Sequence, residues 1–117
     1  MKTDALRCRC CNAEGADAGL VEALRRLESK RGKALTVTSG YRCAAHNARV
    51  GGVEGSAHRY GLAADIAVPE GEQEAFCSSA RECGFRVVLP YPKRGFVHVA
   101  LASSRELAQK RREKNGR

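Results

Sequence analysis

The chain has 117 residues, enough for one compact domain and too few for two. Apolar residues make up 43% without any Trp, so a core must come mostly from Leu, Val, Ala and Cys, and no apolar run approaches the roughly 20 residues of a membrane span. The 21 Lys and Arg outnumber 13 Asp and Glu, and the net charge of +8 favours a polyanionic partner: nucleic acid, acidic membrane or an anionic cell wall.

Residues 1–16 are polar, Cys-rich and without a period, and read as an irregular arm. They lack the apolar stretch of a signal peptide, which implies synthesis in the cytoplasm and a separate route of release. From Asp17 onward Leu20, Val21, Leu24 and Leu27 form one apolar helical stripe, ended by Gly32. Residues 34–38 alternate as a half-buried strand, and Ser39-Gly40 breaks it. A short helical turn over 44–50 precedes a loop at Gly51, Gly52 and Gly55. A second strand over 63–68 stops at Pro69. A helix over 73–83 carries Ala75, Phe76, Ser79, Ala80 and Cys83 on one face and closes at Gly84. A third strand over 85–89, a turn at 90–95 and a fourth strand over 96–101 follow. Residues 103–117 hold six basic and two acidic side chains and read as a basic tail. This order predicts an α+β fold with a small antiparallel sheet.

Six cysteines are many for this length. Cys8, Cys10 and Cys11 cluster, while Cys43, Cys77 and Cys83 are scattered. The C-x-C-C cluster lacks the paired C-x-x-C spacing of structural zinc sites, so buried thiols with at most one disulfide are expected ahead of a second metal site. In an oxidising compartment the expected bond joins the N-terminal cluster to Cys43. Cys77 and Cys83 lie on different sides of one helix and cannot pair.

Three residues stand out chemically: His58 after the glycine-rich loop, Asp65 seven residues later, and His98 inside the last strand. Imidazoles and a carboxylate are suitable zinc ligands, and three protein ligands leave a coordination position open. Taken singly, each has a plainer reading: a hydrogen-bonded core histidine, or an aspartate capping a turn.

The segment Ser56-Ala57-His58-Arg59-Tyr60-Gly61-Leu62-Ala63-Ala64-Asp65 fits S-x-H-x-x-G-x-A-x-D in full. Ser39-Gly40-Tyr41-Arg42 fits S-G-[YF]-R, and Phe96-Val97-His98-Val99 fits a final ligand strand. In these motifs the chain resembles the zinc D-Ala-D-Ala carboxypeptidases and peptidoglycan endopeptidases, whose fold is shared with the hedgehog signalling domain. Its nearest resemblance is to small single-domain members, many of them from phages and prophages, endolysins among them.

The resemblance implies a zinc peptidase domain over residues 1–102 and a separate tail over 103–117. It implies Zn2+ held by His58, Asp65 and His98, with Arg42 as the substrate-facing catalytic cation. Ser56 and Tyr41 are candidate substrate contacts. Plainer readings stay open: an ordinary loop serine for Ser56, and core packing or helix capping for Tyr41, Tyr60 and His46. Gly61 would let the backbone turn between the first two ligands. The expected partner is a peptidoglycan stem peptide, cut next to a D-amino acid at the bacterial cell wall, by a monomer. No nucleic-acid motif accompanies the basic charge.

One letter departs from the pattern. The family keeps an acid three residues before or two after the last His, and here those positions are Gly95 and Ala100. Neither accepts a proton. The chain is then a variant with weakened catalysis, or carries a deliberate substitution, or draws its base from Glu54 or Glu70. In a strand, residues 98 and 100 point to one face, so Ala100 is expected beside His98.

Overall fold

A computed structural model describes residues 1–51 and 56–103. Glu54 and nearly all of the basic tail lie outside the described residues. The first long element is helix α1, Ala18–Arg31. Asp17 caps it by accepting a hydrogen bond from the Gly19 N–H at 2.8 Å, and Gly32 ends it at φ +67°. Leu20, Ala23, Leu24 and Leu27 are its buried stripe.

Strand β1, Val37–Ser39, is shorter than alternation predicts. Helix α2, Ala44–Arg49, and strand β2, Ala63–Ala67, follow. Helix α3, Gln73–Glu82, buries Gln73, Phe76, Cys77 and Ala80. The expected face is therefore rotated: Cys77 is inside, and Ala75 is exposed. Strand β3, Val87–Tyr91, begins two residues later than expected, and strand β4, Phe96–Ala100, closes the chain's sheet. β3 can include Pro90 because it is an edge strand, where one missing N–H is tolerated.

The sheet is antiparallel with order β1-β2-β4-β3. One face carries Ala64, Ile66, Val97 and Val99, which join Leu20, Leu24 and Leu27 of α1 and Phe76 and Ala80 of α3 in the main core. The opposite face carries Asp65 and His98, which are direct cross-strand partners. The buried Gln73 amide donates to the Val68 carbonyl at 2.9 Å and to the Tyr91 and Phe96 carbonyls at 3.3 Å, tying α3 to the β3–β4 turn.

The N-terminal arm is not an appendage. Thr3–Leu6 form a 3₁₀ helix, and Leu6 and Cys8 are buried. The Tyr41 N–H donates to the Leu6 carbonyl at 2.9 Å, and the Arg9 guanidinium donates to the Thr38 carbonyl at 2.6 Å. A short polar segment shows no period when it packs through single residues and backbone contacts. No described helix is long and apolar enough to cross a membrane.

Candidate metal centre

The sheet register brings the site together. Asp65 sits mid-β2, paired with Ser39 of β1 on one side and His98 of β4 on the other. The Thr38 hydroxyl donates to the Asp65 carbonyl at 3.2 Å and fixes that strand. His58 arrives from the turn before β2, where the N–H groups of Arg59, Tyr60 and Gly61 donate to the carbonyls of Ser56, Ala57 and His58.

His98 Nδ1 lies 3.0 Å from Asp65 Oδ1, and His58 Nε2 lies 3.3 Å from the same oxygen. The two imidazole rings are tilted, with centroids 5.1 Å apart. His58 Nδ1–H donates to the Gly40 carbonyl at 2.8 Å, so in the neutral ring Nε2 keeps its lone pair toward Asp65. Burial would push the Asp65 carboxyl up, but the two imidazoles beside it, which donate hydrogen bonds and carry positive charge when protonated, hold it well below the usual carboxylate range. It is an anion across the neutral range.

These residues fit a zinc ion. Their ligand atoms all lie within 4.8 Å of one another. Tetrahedral zinc with bonds of about 2.0–2.1 Å sets neighbouring N and O ligands about 3.4 Å apart, close to the 3.0 and 3.3 Å separations here. His58 is buried, and His98 and Asp65 are partly open. The centre therefore has one sealed side and one accessible side.

Arg42 lies beside these three candidate ligands. Its Nη2 is 3.9 Å from Asp65 Oδ2, and its backbone N–H donates to the His58 carbonyl at 3.0 Å. The Tyr41 ring covers Gly15, where an added Cβ would strike it, so Tyr41 joins the arm to this loop. Ser56 is buried, and its carbonyl closes the His58 turn. Tyr60 stands at the surface with the Arg59 guanidinium 5.9 Å from its ring. The His46 N–H donates to Cys43 Sγ at 3.4 Å. Glu70 is exposed at the start of a 3₁₀ turn beyond β2.

Ala100 shares the sheet face of His98, as strand alternation predicts, but it does not open to the cleft. It is fully buried with Ala57 and Ala63, under Leu62 and Val87. Gly95 sits in the tight turn before β4 at φ +71°, with nothing within 4 Å of an added Cβ. Of the two positions that lack an acid, only Gly95 has room for one.

Two features escape sequence reasoning. One is the Gly40 carbonyl that orients His58; Gly40 is needed there because an added Cβ would lie 2.6 Å from Leu6 Cα. The other is an apolar strip beside the candidate ligands. Leu89 pairs with His98, and Tyr91 pairs with and stacks on Phe96 at a 4.5 Å centroid distance. Leu89 is 46% and Tyr91 37% exposed, so the strip continues the metal face out to the sheet edge. The β3 register that creates it was hidden by the two-residue shift.

No curated protein matches the chain. A family model described as Peptidase M15 matches residues 1–100, which span the arm, the Arg42 loop, His58, Asp65 and His98. With the four-stranded antiparallel α+β architecture and the His-Asp-His convergence, that match shows that the chain belongs to the M15 family of zinc D-Ala-D-Ala carboxypeptidases, with its hedgehog/DD-peptidase fold.

Proposed function

We propose that the chain hydrolyses a peptide bond next to a D-amino acid in peptidoglycan stem peptides, in a zinc-dependent reaction of low turnover. The observation that carries this reading is the convergence of His58 Nε2, Asp65 Oδ1 and His98 Nδ1 with the Arg42 guanidinium against the same carboxylate, in a member of the M15 family. Zinc held by the three ligands would supply Lewis acidity toward a scissile carbonyl and lower the pKa of a water. Arg42 supplies a planar cation suited to a peptide carboxylate or a developing oxyanion. The strip of Leu89, Tyr91 and Phe96 gives the apolar parts of a stem peptide a surface beside the ligands. The net charge of +8 favours approach to an anionic wall.

The test is incubation of the zinc-loaded protein with purified peptidoglycan, followed by the appearance of new amino groups. Slow release that stops on chelation is expected. Binding to peptidoglycan with no release at all would favour a second reading, a wall-peptide-binding module of the same fold. The specific observation behind that alternative is the pair Gly95 and Ala100, which leaves both customary places for a general base without a carboxylate.

Arg42→Ala should keep zinc at the His-Asp-His centre and weaken stem-peptide binding by about ten- to a hundred-fold, the scale of a lost charge-assisted hydrogen bond. Calorimetric titration of a stem peptide, with elemental analysis on the same sample, checks both parts. Zinc loss in that variant would instead make Arg42 a support for Asp65.

Ala100→Asp is expected to do little for catalysis. Its carboxyl would be buried among Ala57, Ala63, Leu62 and Val87 and held neutral there, at a cost of about 1–3 kcal/mol for an unpaired polar group. We expect a lower Tm and hydrolysis within about ten-fold of the parent. A gain near the 10²–10⁴ typical of a general base would show that position 100 reaches the cleft after all.

A further inference from the structure

The arm and the α2 loop gather four thiols that the peptidase centre does not use. Cys8 Sγ lies 3.5 Å from Cys10 Sγ, and Cys10 Sγ lies 3.3 Å from Cys43 Sγ. With Cys11, all four sulfurs fall within 4.8 Å of one another. All six cysteines of the chain are free thiols, and Cys77 and Cys83 take no part in the group. The expectation of buried thiols holds for Cys8 alone among these four: Cys10 and Cys11 are exposed and Cys43 is partly so.

The backbone is shaped to hold them. The Asn12 N–H donates to the Cys8 carbonyl at 2.8 Å, and the Cys8 N–H donates to the Ala13 carbonyl at 3.0 Å. With Asn12 in the left-handed region at φ +60°, residues 8–13 fold into a closed loop that presents three sulfurs on one side. Cys43 supplies the fourth from across the chain. Its N–H donates to Cys8 Sγ at 3.4 Å, and the His46 N–H donates to Cys43 Sγ at 3.4 Å. N–H groups aimed at sulfur favour the thiolate over the thiol.

We propose that Cys8, Cys10, Cys11 and Cys43 form a second, structural zinc site, closed by four thiolates and separate from the His-Asp-His centre. Zinc–sulfur bonds of about 2.3 Å in a tetrahedron place neighbouring sulfurs about 3.8 Å apart, near the spacing found here. An all-sulfur set of four leaves no position for water, which is the mark of a structural site. A disulfide would use only two of the four and leave two thiols crowded beside it.

The site would act on position rather than chemistry. Cys43 directly follows Arg42, and the arm that carries the other three ligands runs on to Gly15, against the His58 turn. A metal there would pin the arm to the Arg42 loop, as a staple does in a domain of this size.

Elemental analysis of protein purified under reducing conditions with zinc tests this independently of any hydrolysis. Two zinc ions per chain are expected in the parent. One is expected in the His58→Ala, Asp65→Ala double variant, and one in the Cys10→Ser, Cys43→Ser double variant. Loading the His58→Ala, Asp65→Ala variant with Co2+ should give intense near-ultraviolet thiolate-to-cobalt absorption. That measurement keeps every cysteine, so it stands even if the serine variant fails to fold. A His58→Ala, Asp65→Ala protein that is folded but metal-free and shows no such absorption would overturn the site. So would peptide mapping that finds a Cys10–Cys43 disulfide in the reduced, zinc-loaded parent. A parent that loses zinc only on cysteine substitution would leave this site standing and remove the peptidase centre.

Discussion

Asp65→Ala should remove zinc from the His-Asp-His centre and lower peptidoglycan hydrolysis by about 10³-fold or more, the upper range for a lost catalytic group. The size of the effect follows from how much converges on one carboxylate. Its Oδ1 meets His98 Nδ1 at 3.0 Å and His58 Nε2 at 3.3 Å, and its Oδ2 lies 3.9 Å from Arg42 Nη2. Removing it takes away a ligand, the anion that draws both imidazoles together, and the group against which Arg42 rests. Asp65→Asn separates these parts. It keeps the shape but offers a neutral amide, so metal should still be lost while Tm falls less than in Asp65→Ala. Zinc content and amine release are measured on the same samples, and the zinc count should fall by one in each variant. Parental hydrolysis in a variant whose zinc count has dropped by one would show that the metal at this centre does not serve the reaction.

Much of this centre is legible in the sequence because its parts are local. The ten residues from Ser56 to Asp65 contain two candidate ligands and the turn between them, and the turn's glycine, its small residues and the strand that follows all leave letters. The α1 stripe and the β4 alternation are equally plain, since each element repeats one contact many times. What the letters did not give are single contacts between distant segments. The Gly40 carbonyl that orients His58 is a backbone group and leaves no side-chain signature. Cys43 meets the arm over more than thirty residues, so no spacing rule joins it to Cys8, Cys10 and Cys11. Cys77 replaced Ala75 on the buried face of α3 because packing against the sheet, not composition, sets that helix's rotation. Sealing of Ala100 likewise depends on the His58 turn folding over the sheet, with Ala57 beneath it.

Gly61→Ala should be the most destabilising single methyl added to any described glycine, at about 2–4 kcal/mol, and Gly32→Ala is its control. Both glycines hold positive φ, +72° at Gly61 and +67° at Gly32. Both therefore pay a left-handed penalty of about 1–2 kcal/mol when a Cβ is added. Their surroundings differ. At Gly32 an added Cβ meets nothing within 4 Å. At Gly61 it would overlap the Gly15 carbonyl oxygen, with the Gly15 carbonyl carbon at 2.8 Å and Ala16 Cα at 3.1 Å. Those atoms are backbone and cannot swing aside. The Asp17 N–H also donates to the Gly61 carbonyl at 2.8 Å, so the arm and the start of α1 must move with Gly15. Since Gly61 closes the turn that carries His58, the shift should reach the ligands and loosen zinc at the His-Asp-His centre as well as lower Tm. In a domain near 100 residues each kcal/mol shifts Tm by about 4–8 °C, so Gly61→Ala should melt about 8 °C or more below the parent and clearly below Gly32→Ala. Equal melting temperatures for the two variants would mean that the arm yields freely at Gly15. The arm would then not be the wall against which the His58 turn is built.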